Sequence, residues 1–246
     1  MIHENHLFTI LDVVESTNNY AMGQVHAGLA AHGQAWFAND QWGGKGQREK
    51  KWLSAMGENI IVTITLKPDK VFNQNKFLFS AFIAGVCHQF FSAFAGNETC
   101  IKWPNDIYFG DRKAGGILIE NVFKGKQWKW AVVGIGININ QTHFGEELKN
   151  ATSLKCITQK NYDVIELAKQ LQNTIIQKLE NCKEEVLFEY LKYYNDHLFK
   201  KGKIVKLKKE NILFETCIKE VNGFGQLITE DVMERVFEFG EVSWVV

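Results

Sequence analysis

Lys102-Trp103-Pro104-Asn105-Asp106, a short apolar run, and then Asp111-Arg112-Lys113-Ala114-Gly115-Gly116 is the stretch from which the rest of the 246-residue chain is read. Proline fixes its own φ and holds the preceding residue extended, so 100–103 is expected as a strand that stops abruptly at Pro104. Asn105 and Asp106 fall on the bend that follows, and Gly110-Asp111 supplies a second turn that brings Lys113 back beside them. Gly115 and Gly116 remove two Cβ atoms where a ligand can touch backbone. Two amines, one carboxylate and one amide therefore converge, the layout of an anion-binding floor. A hairpin with solvated charges is the competing reading of the Lys-x-x-x-Asp spacing alone.

Outward from this stretch, strands are expected at 8–14, 35–38, 59–66, 106–109, 115–123 and 127–136. Ser16 or Thr17 is placed to cap a short helix ending near Gly28. Residues 40–58 carry Gly43, Gly44, Gly46 and Gly57 among lysines, without an apolar period, and are expected as a mobile loop. Residues 77–96 hold no formal charge, which by length alone nominates a membrane span. Ser80, His88, Gln89 and Ser92 interrupt that run, and alanine and glycine interleave its bulky residues, so it reads as a helix packed on all sides. Helical periodicity returns over 163–198, with Ile165, Leu167, Ala168, Leu171, Ile175, Ile176 and Leu179 on one face. After the basic hinge Lys200-Lys201-Gly202-Lys203 come five short strand-like runs punctuated by Asn222-Gly223, Gly225 and Gly240, the spacing of a small β-barrel. The expected fold class is α+β: a mixed, largely antiparallel sheet with packed helices over 1–198, and a barrel over 199–246.

At 46% apolar and 13% aromatic, the chain can bury a good core. Its 28 basic and 28 acidic residues cancel, so bulk charge holds it to neither nucleic acid nor an anionic membrane, and any cationic site must be local. Cys87, Cys100, Cys156, Cys182 and Cys217 are widely spaced without a C-x-x-C pair, which argues against a disulfide framework or zinc site and fits a reducing cytoplasm. Residues 1–6 are polar and include Glu4, unlike a signal peptide, so export is not expected.

Three further segments carry chemistry. Ser16, Thr17 and Asn18 put two hydroxyls and an amide at a strand-to-helix junction, able either to read a small polar ring or simply to cap the helix. Gln41-Trp42-Gly43-Gly44-Lys45-Gly46-Gln47-Arg48, running on to Lys50, Lys51 and Trp52, offers backbone N–H groups and cations to an anion, or is a solvated loop. It is not a Walker loop, because no Ser or Thr follows Lys45. Gly134-Ile135-Gly136-Ile137-Asn138 lacks the third glycine of a dinucleotide turn. It places Asn138 to read a purine edge, or uses its glycines for close strand packing.

In this order the motifs resemble biotin protein ligases: Ser16-Thr17-Asn18, Gln41 with Gly44-Lys45-Gly46, Lys102 to Asp106, Arg112-Lys113 with Gly116-Ile117-Leu118, and Gly134 to Asn138. The likeness covers nearly the whole chain and extends to Phe239-Gly240-Glu241-Val242-Ser243 in the C-terminal barrel. The resemblance implies a class II synthetase-like biotin/lipoate ligase domain followed by an SH3-like barrel. It implies ATP-dependent activation of biotin to biotinyl-5′-adenylate, then transfer to one lysine of a biotin carboxyl carrier protein. Lys113, Lys45 and Asp106 would be catalytic, with Asp106 organising Lys113 or the Mg2+ that accompanies ATP. Ser16, Thr17, Asn18 and Gln41 would hold the biotin head group, Lys45, Gly46, Gln47 and Lys113 would close over biotin, and Gly115 and Gly116 would form the floor. Gly44, Arg48, Trp52, Asn105 and Asn138 would face the adenylate. A lipoate or octanoate ligase or transferase shares the architecture but resembles a different glycine-loop sequence. A non-enzymatic adaptor with a vestigial pocket is the third reading.

Two departures from the family pattern bear on expectation. Gln47 and Glu49 stand where arginine and glycine are common, and Arg48 or Lys50 is expected to replace the missing charge. Only fifteen residues precede Ser16, so the winged helix-turn-helix of the repressor members, and with it operator binding, is not expected. An exposed sheet edge is the expected route to a homodimer, as in some members.

Overall fold

The computed structural model describes residues 7–48, 50–68, 72 and 75–245, so the polar 1–6 segment and Glu49 lie outside the described residues. The strands of the larger sheet are β1 (Phe8–Val14), β2 (Gln34–Gln41), β3 (Asn59–Leu66), β4 (Thr99–Lys102), β5 (Asp106–Phe109), β6 (Arg112–Lys124) and β7 (Gln127–Asn138). They lie in the order β1-β2-β3-β7-β6-β5-β4. β1 and β2 run parallel and the other pairs antiparallel. The mixed sheet is thus the expected one, and β2 continues three residues beyond its expected end, through Gln41.

Period two divides this sheet into two chemically different faces. Ile60, Val62, Ile64 and Leu66 of β3 join Val133, Ile135 and Ile137 of β7 in the main core. That core also takes side chains from α2 (Lys76–Ala95), α4 (Val164–Glu180) and α5 (Glu184–Asp196). On the opposite face α1 (Thr17–His26) packs Ala21 and Val25 against Trp36 and Val132 in a smaller cluster. β3 is buried at every residue because both of its faces are covered.

α2 starts where Asn75 accepts the Leu78 N–H at 3.0 Å and ends at Gly96, whose φ of +92° suits glycine. By length and composition it could cross a membrane, yet most of it is buried inside the protein, as the interleaved alanines predict. The periodic 163–198 stretch is two helices: α4, capped by Asp163, and α5. The five-residue α3 (Leu154–Thr158), capped by Ser153, is an addition that no sequence period announced.

β8 (Ile204–Lys209), β9 (Ile212–Val221), β10 (Leu227–Glu230), β11 (Glu234–Phe237) and β12 (Ser243–Trp244) form a second, antiparallel sheet ordered β11-β10-β9-β8-β12. The basic segment before it is pinned rather than loose. The Gly202 N–H donates to the Ile218 carbonyl at 2.8 Å, and Lys200 pairs with Asp111 at 2.5 Å. Three further contacts close the seam between the sheets. The Asn195 amide donates to Val221 O at 2.9 Å and accepts the Val221 N–H at 2.7 Å. Trp103 Nε1 donates to Gly225 O at 2.9 Å, and a Cβ at Gly225 would meet Phe77 at 2.7 Å.

Asn195 is buried, so Asn195→Ala leaves both Val221 backbone groups without a partner. Urea unfolding of the full chain is expected to register a loss of about 2–4 kcal/mol.

Candidate active site

The alternation of β7 builds the floor. While Val133, Ile135 and Ile137 face the helices, Gly134, Gly136 and Asn138 face the other way, where β3 contributes Ile61 and Thr63 and β6 contributes Gly116 and Leu118. A Cβ at Gly134 would meet Asn18 Oδ1 at 2.1 Å, and one at Gly136 would meet Trp52 Cε2 at 2.4 Å. The glycines therefore let the Asn18 amide and the Trp52 indole lie directly on the sheet. The close-packing reading of this motif describes the geometry of the two glycines. Asn138 Nδ2 donates to Thr152 O at 2.9 Å and the residue lines the cavity.

A β-bulge aims the lysine. Asp106 lies opposite Gly116 and Ile107 opposite Gly115, but Tyr108 then pairs with Lys113, skipping Ala114. The skipped residue turns Lys113 onto the face shared by Asp106 and Tyr108. Lys113 Nζ reaches Asp106 Oδ1 at 2.7 Å, and a Cβ at Gly116 would come within 3.2 Å of that oxygen and 3.4 Å of that nitrogen. The bend itself is clamped: the Asn105 amide donates to Ile117 O, the Ile117 N–H to Asn105 O at 3.0 Å, and the Tyr194 hydroxyl to Pro104 O at 3.1 Å.

Lys102 pairs across β4–β5 with Asp106 and is buried. Its ammonium donates to Tyr108 Oη at 3.2 Å and lies 4.6, 5.2 and 5.2 Å from the ring centres of Tyr108, Phe199 and Trp244. Burial lowers its pKa to about 8, with Asp106 and Asp111 opposing that shift and Lys113 and Lys50 adding to it. The sequence showed this second amine of the floor, but its cage comes partly from the last strand of the second sheet, 142 residues away by numbering.

The glycine loop is a closed hairpin where a mobile loop was expected. Lys45 and Lys51 form a bridge, the Gly46 N–H donates to Lys50 O at 2.6 Å, and the Trp52 N–H donates to Gly44 O at 2.9 Å. Arg48, at φ +52°, sends its guanidinium to the second sheet, donating to Gly240 O at 2.7 Å and Phe239 O at 2.9 Å while lying over the Phe239 ring. Two of its five N–H groups are thus held by carbonyls, while Arg48 and Lys50 both line the cavity.

One cavity of about 1160 Å³ collects these groups. Ser16, Thr17, Asn18 and Gln41 line one part, and Lys45, Gly46, Gln47, Arg48 and Trp52 border it from the loop. Lys102, Asn105, Asp106, Lys113, Gly116 and Asn138 complete the set. Two expected residues stand behind the wall. Gly115 packs on β7, where a Cβ would strike Gly136 O at 2.9 Å, and Gly44 is covered by Trp52 O and the Gln41 amide. Trp52 Nε1 is buried without a hydrogen-bond partner. Among the described residues no group of three or more His, Cys, Asp or Glu is arranged to hold a metal ion. Asp106 is one carboxylate beside cations, which fits Mg2+ that arrives bound to phosphates and retains much of its water.

The chain matches the model of the biotin/lipoate A/B protein ligase family over residues 10–138. It is 33% identical over 168 residues, 67% of this chain, to a bifunctional ligase/repressor BirA of Bacillus spizizenii, of which that covers 50%. Over 127 residues, 51% of each chain, it is 32% identical to a biotin--[acetyl-CoA-carboxylase] ligase of Paracoccus denitrificans. It spans about half the length of these curated relatives. A biotin protein ligase from Aquifex aeolicus in complex with biotin and ATP superposes with a TM-score of 0.81 at 27% identity, covering 97% of this chain and 98% of that one.

Two outcomes follow from the geometry. Lys102 holds its proton less tightly folded than unfolded. The group therefore adds stability as pH rises from about 8 toward the ordinary lysine range, while its positive charge disappears over that same window. Calorimetric titration with inorganic pyrophosphate between pH 6.5 and 9.5 is expected to show affinity falling through about pH 8, a step that Lys102→Met removes. Arg48→Ala is expected to speed proteolytic cleavage within 43–52 by roughly tenfold, a modest factor because the two hydrogen bonds it removes are exposed and water competes for them.

Proposed function

The chain belongs to the biotin/lipoate A/B protein ligase family, and we propose that within it the protein is an ATP-dependent biotin protein ligase. The observation that carries this reading is one cavity with two unlike ends: hydroxyls and amides from Ser16, Thr17, Asn18 and Gln41, and a cationic face built by Lys102 and Lys113 around Asp106. Its volume exceeds the ~300–1,000 Å³ usual for one small ligand, which supports two substrates side by side.

The chemistry follows from charge. A biotin carboxylate oxygen attacks the α-phosphorus of ATP, the bond to the pyrophosphate oxygen breaks, and biotinyl-5′-adenylate remains. Both reactants are anions, so fixed ammonium groups lower the cost of bringing them together. Lys113 bridges carboxylate and phosphate, with Asp106 holding its Nζ, and Lys45 with the loop segment Gly46-Gln47 covers the mixed anhydride and excludes water. Asp106 is the carboxylate of the floor that would hold a Mg2+ ion accompanying ATP, and such an ion would supply charge screening to the phosphates. The unpaired Trp52 N–H, the Trp52 ring and Asn138 support adenine and ribose contacts there, and Asn105 holds the bend beneath them. In the second step the amine of a carrier-protein lysine attacks the acyl carbon, the bond to AMP breaks and an amide forms. The carrier is a biotin carboxyl carrier protein. Residues 1–198 carry this chemistry, and 199–246 close over the loop and Lys102.

The polar head-group end argues against lipoate, whose dithiolane ring offers no N–H or carbonyl to four hydrogen-bonding side chains. Zero formal charge supports a role without nucleic acid, the buried α2 a role away from the membrane, and the free thiols of Cys87, Cys100, Cys156 and Cys217 a reducing cytoplasm. β1 ends the larger sheet with Ile10 and Val13 exposed, an edge suited to pairing with a second copy.

Isotope exchange between pyrophosphate and ATP tests the reading. Biotin-dependent exchange is expected, reduced on the order of 10²–10³-fold in Lys113→Gln. Exchange that depends on lipoate, or none at all, rejects it.

A further inference from the structure

Thr63 is fully buried on the cavity face of β3, opposite Gly134 of β7. Its hydroxyl oxygen lies 2.6 Å from Asn18 Oδ1 and 2.8 Å from Thr17 Oγ1, and Asn18 Nδ2 donates to Glu120 Oε2 on β6 at 2.9 Å. Glu120, Asn18, Thr63 and Thr17 are therefore one relay drawn from three elements.

Its polarity follows from counting protons. A carboxylate only accepts, so Glu120 obliges the Asn18 amide to turn its NH2 outward to it and its oxygen toward Thr63. A hydroxyl has one proton, and the Asn18 oxygen can only accept, so the Thr63 proton goes there. Thr63 then has only lone pairs for Thr17, whose proton must point at Thr63. The Thr17 oxygen is left presenting lone pairs to the cavity it lines.

Neighbouring groups have the opposite polarity. Ser16 Oγ accepts the Asn19 N–H at 3.4 Å, which leaves its own proton to donate. Gln41 Oε1 accepts the Thr17 N–H at 3.4 Å, which leaves the Nε2 protons to donate. Two donors beside one acceptor match a cyclic urea, whose carbonyl accepts twice and whose ring N–H donates.

Resting on the ligase reading, we propose that Glu120 and Thr63 are positioning residues that make Thr17 the acceptor of a ring N–H. The protein's preference for a cyclic urea is thereby set by a carboxylate that never touches the ligand. A hydroxyl without this relay rotates freely and accepts or donates equally well; the relay removes that choice.

The test compares biotin with its two mono-N-methylated ring derivatives in the full-length protein, by calorimetric binding and by pyrophosphate exchange. Wild type is expected to prefer biotin over one of the two isomers by on the order of 10²-fold, because a buried acceptor loses its donor. Glu120→Leu and Thr63→Val are expected to shrink that preference at least tenfold by raising KM for biotin, with KM for ATP little changed. Thr63→Ser keeps the hydroxyl and is expected to retain the preference, whereas Glu120→Gln, whose amide donates as well as accepts, is expected to lose part of it. If Glu120→Leu and Thr63→Val weaken biotin and the methylated isomer by the same factor, or leave both unchanged, the relay is overturned while the ligase reading stands. A wild type that does not bind biotin overturns the ligase reading and this proposal with it.

Discussion

The structure depends on one constraint: β3 and β7 must each serve two environments at once. Every second residue is a branched apolar side chain locked into the core under α2 and α4, so those strands cannot slip by one without burying their polar set. The residues between are free to be Gly134, Gly136, Asn138 and Thr63 because no helix core competes for that face at the cavity. A dry, rigid wall on one side is what allows so little side chain on the other, and the amide and indole that rest on it are held by backbone they could not otherwise approach.

Charge is organised by the same logic across three strands. Lys102, Asp106 and Lys113 come from β4, β5 and β6 and share one face only because the bulge at Ala114 moves the last of them there. The two ammonium groups differ in their surroundings. Lys113 is partly exposed and held by a carboxylate, a good arrangement for a group that must follow a substrate. Lys102 is buried against three aromatic rings, which compensate part of its lost hydration with the electron-rich faces of the cage.

Much of this was legible in the sequence, and the reasons differ by residue. Phe8–Val14 and Asn59–Leu66 stand where alternation and β-branching put them, and the helix at 76–95 was visible as a charge-free run. Trp103-Pro104 ends β4 one residue earlier than expected, at Lys102. The bulge was invisible, because Ala114 has no property that distinguishes a skipped residue from a paired one. Thr63 and Glu120 were hidden for a related reason: a threonine in a β-branched strand and a glutamate in a half-exposed one look like ordinary strand residues until the register puts them beside Asn18. The glycine loop was read from its composition as mobile, whereas its hydrogen bonds run from backbone to backbone, which composition does not encode.

Arg48 grips two carbonyls that lie 191 and 192 residues further along the chain. The loop is consequently fastened to the second sheet through backbone carbonyls. Displacing the backbone near Gly240 would take two acceptors from the guanidinium, and a side chain at Gly240 would push the guanidinium out of its place. The cover over the cavity is thus anchored at its tip by the smaller sheet, so a disturbance of that sheet at 239–240 reaches the loop directly.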